Sequence, residues 1–139
     1  MKIVSRNLLI FALLLLIYTV LFRYGLSRLL EAELWVWVIV IAVAYGAMIF
    51  ATAWTTGKRD GMNNFLFDAG FRWNLTTFFV WGAASEAWFL LGFHSVYESI
   101  RVVHVTLLIW SGFLILHLIL FLILHRRTIK GVHKTNIFD

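Results

Sequence analysis

The sequence contains no cysteine and no proline, and few of its residues are charged. Of 139 residues, 62% are hydrophobic, 17% are aromatic and 14% are charged. Without cysteine the chain has no disulfide, no thiolate nucleophile and no cysteine-based metal or redox site. So apolar a composition exceeds what a soluble domain tolerates, and it predicts an integral membrane protein.

Four long apolar runs predict an all-α protein with four transmembrane helices. They cover about residues 8–24, 34–54, 73–93 and 102–124, and each is close to the roughly 20 residues that a helix needs to cross hydrocarbon. The runs are continuous in Leu, Ile, Val and Phe rather than alternating, which favours helices over barrel strands. The chain 1–139 is therefore predicted to be a single transmembrane domain of two hairpins, with no room for a soluble catalytic domain.

Basic residues are distributed unevenly between the two sides of such a tetraspan protein. One side carries Lys2, Arg6, Lys58, Arg59, Arg72, Arg126, Arg127, Lys130 and Lys134, and the other carries Arg23, Arg28 and Arg101. The positive-inside rule then places both termini, the inner connection 55–72 and the basic tail 125–139 in the cytoplasm of a bacterial cell, with the protein in the inner membrane. The net charge of +5 is explained by this topology and by attraction to anionic lipid, and it does not indicate a nucleic-acid partner.

An offset of 67 residues aligns Asn7 with Asn74 and Phe22 with Phe89. Two parallel hairpins related by an axis along the membrane normal would produce such an offset. In a sequence rich in Leu and Phe, chance also produces matches, so unrelated hairpins remain the alternative.

The inner connection changes character along its length. Residues 57–61 form a polar, glycine-flanked turn, whereas apolar residues recur at helical spacing in 62–69. This second part is either a short interfacial helix or the protruding end of a longer third helix.

Aromatic and basic residues near the ends of the spans are typical of contacts with the membrane interface. The predicted lipid and interface contacts are Trp35, Trp37, Trp54, Trp73, Lys58, Arg59, Arg126 and Arg127.

Glu86 is the one carboxyl group placed well inside a predicted span. Counting along each run places Tyr18, Thr19, Tyr45 and Ser111 at similar depths, which predicts an intramembrane polar cluster. An ionised carboxylate in hydrocarbon costs at least about 2.5 kcal/mol, so Glu86 is expected to take up a proton and to hydrogen-bond a hydroxyl group on a neighbouring helix.

The alternative role for Glu86 is that of a proton or cation site, with His104 and His117 as relay partners. These histidines are 13 residues apart in the fourth run, which turns them about 140° from each other on a helix. Both cannot face Glu86.

The sequence favours no cofactor, metal or enzyme. The spacing of His104 and His117 suits stacked haems, but the other spans contain no histidine, so only a homodimer could supply bis-histidine ligation. We found no metal-ligand spacing, catalytic triad, phosphate loop or carboxylate pair, and we therefore expect no catalytic residue and no metal site.

The second hairpin resembles the bacterial 2TM domain family of helical-hairpin membrane modules. The resemblance rests on GFRWNLTTFFVWG (70–82), on Trp88 to Leu90 and on IWSGFLILHLILF (109–121). Asn74 replaces the histidine of the family pattern. The resemblance implies a membrane anchor or sensor-like module without known chemistry.

These observations predict a small non-catalytic tetraspan module that associates with itself or with a larger membrane complex, in contact with membrane lipids. One alternative is a proton- or cation-conducting oligomer that uses Glu86. A second alternative is an effector that disrupts bilayers, which the basic tail and an interfacial segment would suit.

Overall fold

The computed structural model describes residues 4–61 and 66–132, and for residues 60–61, 66–69 and 124–132 it describes the helical backbone alone. This part of the chain forms four α-helices, which confirms the predicted all-α class. They are α1 (Arg6–Glu31), α2 (Trp35–Gly61), α3 (Leu66–Leu90) and α4 (Ile100–Val132).

Three of these helices are long and apolar enough to cross a membrane: Arg6–Glu31, Trp35–Arg59 and Ile100–Ile123. Within the described residues α3 does not reach the same apolarity. It carries Asn74, Thr76, Thr77, Ser85 and Glu86, whose polar groups lower its hydropathy.

α3 is the helix that contacts all three of the others. α3 packs against α1, α4 and, less extensively, α2, whereas α4 approaches only α3 among the described residues. α1 packs between α2 and α3. The result is an open bundle in which α1 and α3 are central, and α2 and α4 present most of their surfaces outward.

One face of α1 explains its central position. Its buried residues recur every three or four positions, which is the spacing of a single helix face: Leu8, Phe11, Leu15, Thr19, Arg23, Ser27 and Leu30. The Ser5 hydroxyl accepts a hydrogen bond from the Leu8 amide at 3.1 Å and caps the start of the helix.

The apolar core lies at the end of the bundle where α1 begins. Phe11 and Trp73 are almost fully buried, with ring centroids 6.1 Å apart. Leu8 and Leu15 complete this core, and Ile49 and Ala53 of α2 pack against it. The core therefore joins α1, α2 and α3.

At the opposite end, α1 and α3 both terminate in a Schellman motif. At the end of α1 the Leu34 amide donates to the Leu29 carbonyl, and Glu33 takes the left-handed conformation with φ 57°. At the end of α3 the Phe93 amide donates to the Trp88 carbonyl, and Gly92 has φ 73°. These motifs turn the chain sharply into the connections that precede α2 and α4.

The helices extend further than the predicted spans. α1 continues from the predicted end near residue 24 to Glu31, because Arg23 and Ser27 lie on its buried face. α2 reaches Gly61 and α3 already begins at Leu66, so this part of the inner connection is the start of a longer third helix rather than a separate one. Met62, Phe65 and the end of the basic tail lie outside the described residues.

Candidate functional site

Glu86 lies against His104 across the α3–α4 interface. Its Oε1 atom is 2.9 Å from Nε2 of His104. The two side chains remain 34% and 58% exposed, so the pair sits on the surface of the bundle and not in its interior. An acid and an imidazole in contact can share a proton or attract each other as ions.

The structure divides the predicted intramembrane cluster. The Thr19 hydroxyl donates to the Leu15 carbonyl at 2.7 Å and lies 2.8 Å from the Tyr45 hydroxyl, so these two predicted members do meet. The Ser111 hydroxyl donates to the Leu108 carbonyl of its own helix. Tyr18 is half-buried on α1. The partner of Glu86 is His104, and not one of these hydroxyl groups.

The reason for this division is rotation about the axis of α3. Ser85 is fully buried and bonds to Arg23 of α1, whereas Glu86 comes one residue later, about 100° around the helix. Depth estimated from the sequence gives the height of a side chain but not the direction in which it points.

A second polar network, centred on Arg23, is buried between α1 and α3. The Arg23 guanidinium donates to the Ser85 hydroxyl from Nη2 at 2.7 Å and from Nε at 3.2 Å. It also lies over the Trp81 ring, 5.4 Å from the centroid. A guanidinium buried in this way needs a counter-charge.

Glu98 supplies that counter-charge from the connection between α3 and α4. Its Oε2 atom is 3.4 Å from Nη1 of Arg23, and the two side chains are only 6–7% exposed. Its Oε1 atom accepts hydrogen bonds from the Ser27 hydroxyl and from the Ser95 amide. The Trp88 indole donates to Ser27 at 3.2 Å. The network thus fastens this connection to α1.

The network borders a cavity of about 290 Å³ between α1, α3 and α4. Phe22, Trp81, Tyr97 and Thr106 contribute to its walls. Because Arg23 and Glu98 neutralise each other, the cavity offers no uncompensated charge to a ligand. The arrangement is suited to holding the helices together.

The sequence prediction placed Arg23 at the outer end of the first span and did not identify this network. A signal was present, because Leu15, Thr19, Arg23 and Ser27 follow one another at four-residue spacing and so share a helix face. The predicted span ends near residue 24, so it leaves out Ser27 and the continuation of this face.

Two histidines of α4, His104 and His117, have different surroundings. His104 meets Glu86, whereas the His117 ring packs edge-on against Phe71 with centroids 5.6 Å apart. This agrees with the angular separation expected for the two residues. In the part of the chain that the structure describes, no three His, Asp or Glu side chains are grouped as metal ligands.

The residues predicted at the membrane interface divide into two groups. Trp35, Trp37 and Trp54 are more than half exposed, and Lys58 and Arg59 are exposed as well. Trp73 does not fit the prediction of an interface contact, since it is 5% exposed. Its ring packs on Phe11 and its indole N–H donates to the Thr56 hydroxyl at 2.9 Å. The side chains of Arg126 and Arg127 lie outside the described residues.

Comparisons with known proteins gave no further indication of function. No protein-family model, curated protein or solved structure matches this chain. The resemblance of the second hairpin to the 2TM domain family therefore stays a prediction.

Proposed function

We propose that this protein is a small non-catalytic tetraspan module that self-associates within a membrane through the α3–α4 face that carries Glu86 and His104. In this proposal α3 crosses the membrane together with α1, α2 and α4. Both termini face the cytoplasm, and the membrane is the bacterial inner membrane. A larger membrane complex is a further setting in which the same surface would serve.

The position of α3 supports its assignment as a span. The other three helices all pack against it. Two of those groups are bonded inside the bundle: Asn74 accepts from the Trp110 indole at 3.0 Å, and Ser85 accepts from Arg23. A helix with satisfied polar groups can cross hydrocarbon even though its average hydropathy is modest.

The observation that carries self-association is the exposure of the Glu86–His104 pair. Ionisable groups within transmembrane helices face a bundle interior or a water-filled path, because contact with lipid is unfavourable. In this single chain the pair faces outward, so another surface is needed to cover it. A second copy related by a twofold axis would bring His104 towards the partner's Glu86 and Glu86 towards the partner's His104.

Small residues beside Glu86 would permit close approach of a second copy. Ala83 and Ala87 are exposed on α3 next to the pair. Small side chains four residues apart allow membrane helices to pack at short distance. We call this surface the pair face; it consists of Ala83, Glu86, Ala87 and His104.

A specific test is to place a large side chain on the pair face. Ala87→Phe should weaken self-association by at least about tenfold, whereas Ala44→Phe on the exposed surface of α2 should leave it unchanged. Sedimentation equilibrium in detergent, or single-molecule photobleaching in liposomes, measures the monomer–oligomer equilibrium. A monomeric wild type, or equal association of both variants, would overturn the proposal.

A second candidate function, conduction of protons or cations, is favoured by the same contact. An acid and an imidazole 2.9 Å apart could pass a proton if oligomerisation enclosed a water path around them. Flux of protons or potassium into liposomes separates the two functions, because a structural pair gives no flux above empty vesicles. Flux that Glu86→Gln abolishes would establish conduction.

A further inference from the structure

An apolar pocket lies between α2 and α3, at the end of the bundle opposite Arg23 and Glu98. Its volume is about 490 Å³, within the range of roughly 300–1,000 Å³ typical of small-molecule sites. Phe50, Trp54 and Trp73 form aromatic walls, and Gly57 and Gly70 leave the space between the helices open. Gly57 faces one of these rings, because a Cβ atom at its position would lie 4.0 Å from the Trp73 indole.

The pocket combines an apolar lining with a single cationic side chain. Its described lining is apolar apart from Lys58, which is exposed, and the next residue, Arg59, is exposed as well. A long apolar group would fit beside the aromatic rings, and an anionic group attached to it would meet the Lys58 ammonium. A phospholipid with a net negative charge has both parts in this order.

The height of the pocket in the membrane agrees with this occupant. Trp54 is 63% exposed beside the pocket, and indole rings of membrane helices concentrate at the headgroup level. Lys58 comes one helical turn beyond Trp54, where its ammonium group reaches the layer of lipid phosphates. Basic residues at that level attract anionic headgroups.

We infer that this pocket is a binding site for one anionic phospholipid, with an acyl chain between Trp54 and Trp73 and its headgroup phosphate at Lys58. The site differs from general lipid contact in two respects. It needs open space at Gly57, and it needs the positive charge of Lys58.

Gly57 provides a direct way to close the pocket. A Cβ atom at this position would meet only the Trp73 indole, 4.0 Å away, which is ordinary contact. A leucine side chain at position 57 would thus extend into the pocket without disturbing the backbone. Gly46 is a matched control on the same helix, because a Cβ atom there meets nothing within 4 Å and the residue lies outside the pocket.

The experiment is native mass spectrometry of the full chain purified in mild detergent. The protein is incubated with equal amounts of dioleoyl phosphatidylglycerol and dioleoyl phosphatidylcholine, whose acyl chains are the same. We expect one phosphatidylglycerol per protomer, in at least about fivefold excess over phosphatidylcholine. Gly57→Leu should reduce that adduct by at least about fivefold, and Lys58→Gln should bring the ratio of the two lipids close to one.

The controls are Gly46→Leu and Arg101→Gln, both expected to behave as wild type. Circular dichroism confirms that each variant is folded, and Lys58→Gln serves as an independent probe if Gly57→Leu is unstable. Equal binding of the two lipids by wild type, or wild-type binding by folded Gly57→Leu, would overturn the inference. Loss of binding in Gly46→Leu would also overturn it, because the effect would then not belong to the pocket.

This site requires insertion into a membrane but does not depend on self-association. Lipid binding is read from each protomer, whereas association is read from the oligomer size. A monomeric protein that binds phosphatidylglycerol would therefore reject the pair face and keep the lipid site.

Discussion

The Arg23 guanidinium lies 3.4 Å from the Glu98 carboxylate, and both side chains are almost completely buried. Arg23 belongs to the central helix α1, while Glu98 belongs to the connection that precedes α4. Since α4 makes no close approach to α1 among the described residues, this ion pair helps to fasten the connection that precedes α4 to α1.

We predict that Glu98→Gln destabilises the protein by about 3–5 kcal/mol, because it removes one partner of a buried pair and leaves a buried charge uncompensated. Thermal unfolding in detergent, followed by circular dichroism, measures the change. The double variant Arg23→Leu/Glu98→Leu should lose less unfolding free energy than the sum of the losses in the single variants Arg23→Leu and Glu98→Leu, because no isolated charge remains.

A matched control for this prediction is the exposed pair Arg28–Glu31. It has the same separation of 3.4 Å, but its side chains are 65% and 47% exposed. Screening by water removes most of the value of such a pair, so Arg28→Gln should unfold at the wild-type temperature. If Arg28→Gln and Glu98→Gln had equal effects, burial would not be the source of the stability.

The two Schellman motifs predict opposite effects of exchanging residue types. Gly92→Ala should destabilise the protein by about 1–2 kcal/mol, because φ 73° is unfavourable for a residue with a Cβ atom. Glu33→Gly should stabilise it by up to about 1 kcal/mol, since Glu33 already has φ 57°.

The Glu33 variant also removes a hydrogen bond, because the Tyr97 hydroxyl donates to its Oε1 atom at 3.1 Å. Tyr97→Phe removes that bond alone and serves as the control. Thermal unfolding temperatures of the three variants separate backbone strain from the side-chain contact. A higher unfolding temperature for Gly92→Ala would refute the assignment.

The sequence was sufficient to predict the class of the fold and less informative about its polar contacts. The all-α class followed from the length and apolarity of the runs. Both are properties of the local sequence and do not depend on how the helices pack. The direction of each helix face depends on which neighbours it meets, and for Glu86 only the packing of α4 on α3 determined that its partner is His104.

The errors in the predicted site have a common physical origin. The sequence prediction placed Arg23 at the outer end of the first span and Trp73 at the membrane interface, because charged residues and indole rings are frequent there. Both are buried instead, since tertiary partners satisfy them: Ser85 and Glu98 bind the guanidinium, and Thr56 accepts from the indole. Such partners are distant in the chain, so a local pattern on α1 can indicate that Arg23 is buried but not which residues bind it.

The topology provides a prediction that concerns the whole molecule. Tags at the N-terminus and at the C-terminus should both be accessible only from the cytoplasmic side, because in the proposed four-span arrangement most basic residues lie on that side. Cysteine labelling of intact cells with a membrane-impermeant maleimide is well suited to the test, since the chain has no cysteine of its own. Labelling of either terminus from the periplasm would reject this orientation, and with α3 left out of the membrane the two termini would lie on opposite sides.

Finally, the role of Glu86 can be tested by two substitutions that differ in hydrogen bonding. Glu86→Gln should preserve folding and self-association, because an amide still offers a donor and an acceptor to His104. Glu86→Leu should weaken association by about tenfold, because it leaves the imidazole without its partner in an apolar face. Sedimentation in detergent reports association, and proton flux in liposomes is measured on the same samples.

Association that is equally weak in both variants would mean that the carboxylate charge matters rather than the hydrogen bond. In that case Glu86 and His104 would be an ion pair, and a charged pair facing lipid would demand an enclosing oligomer even more strongly than a neutral one.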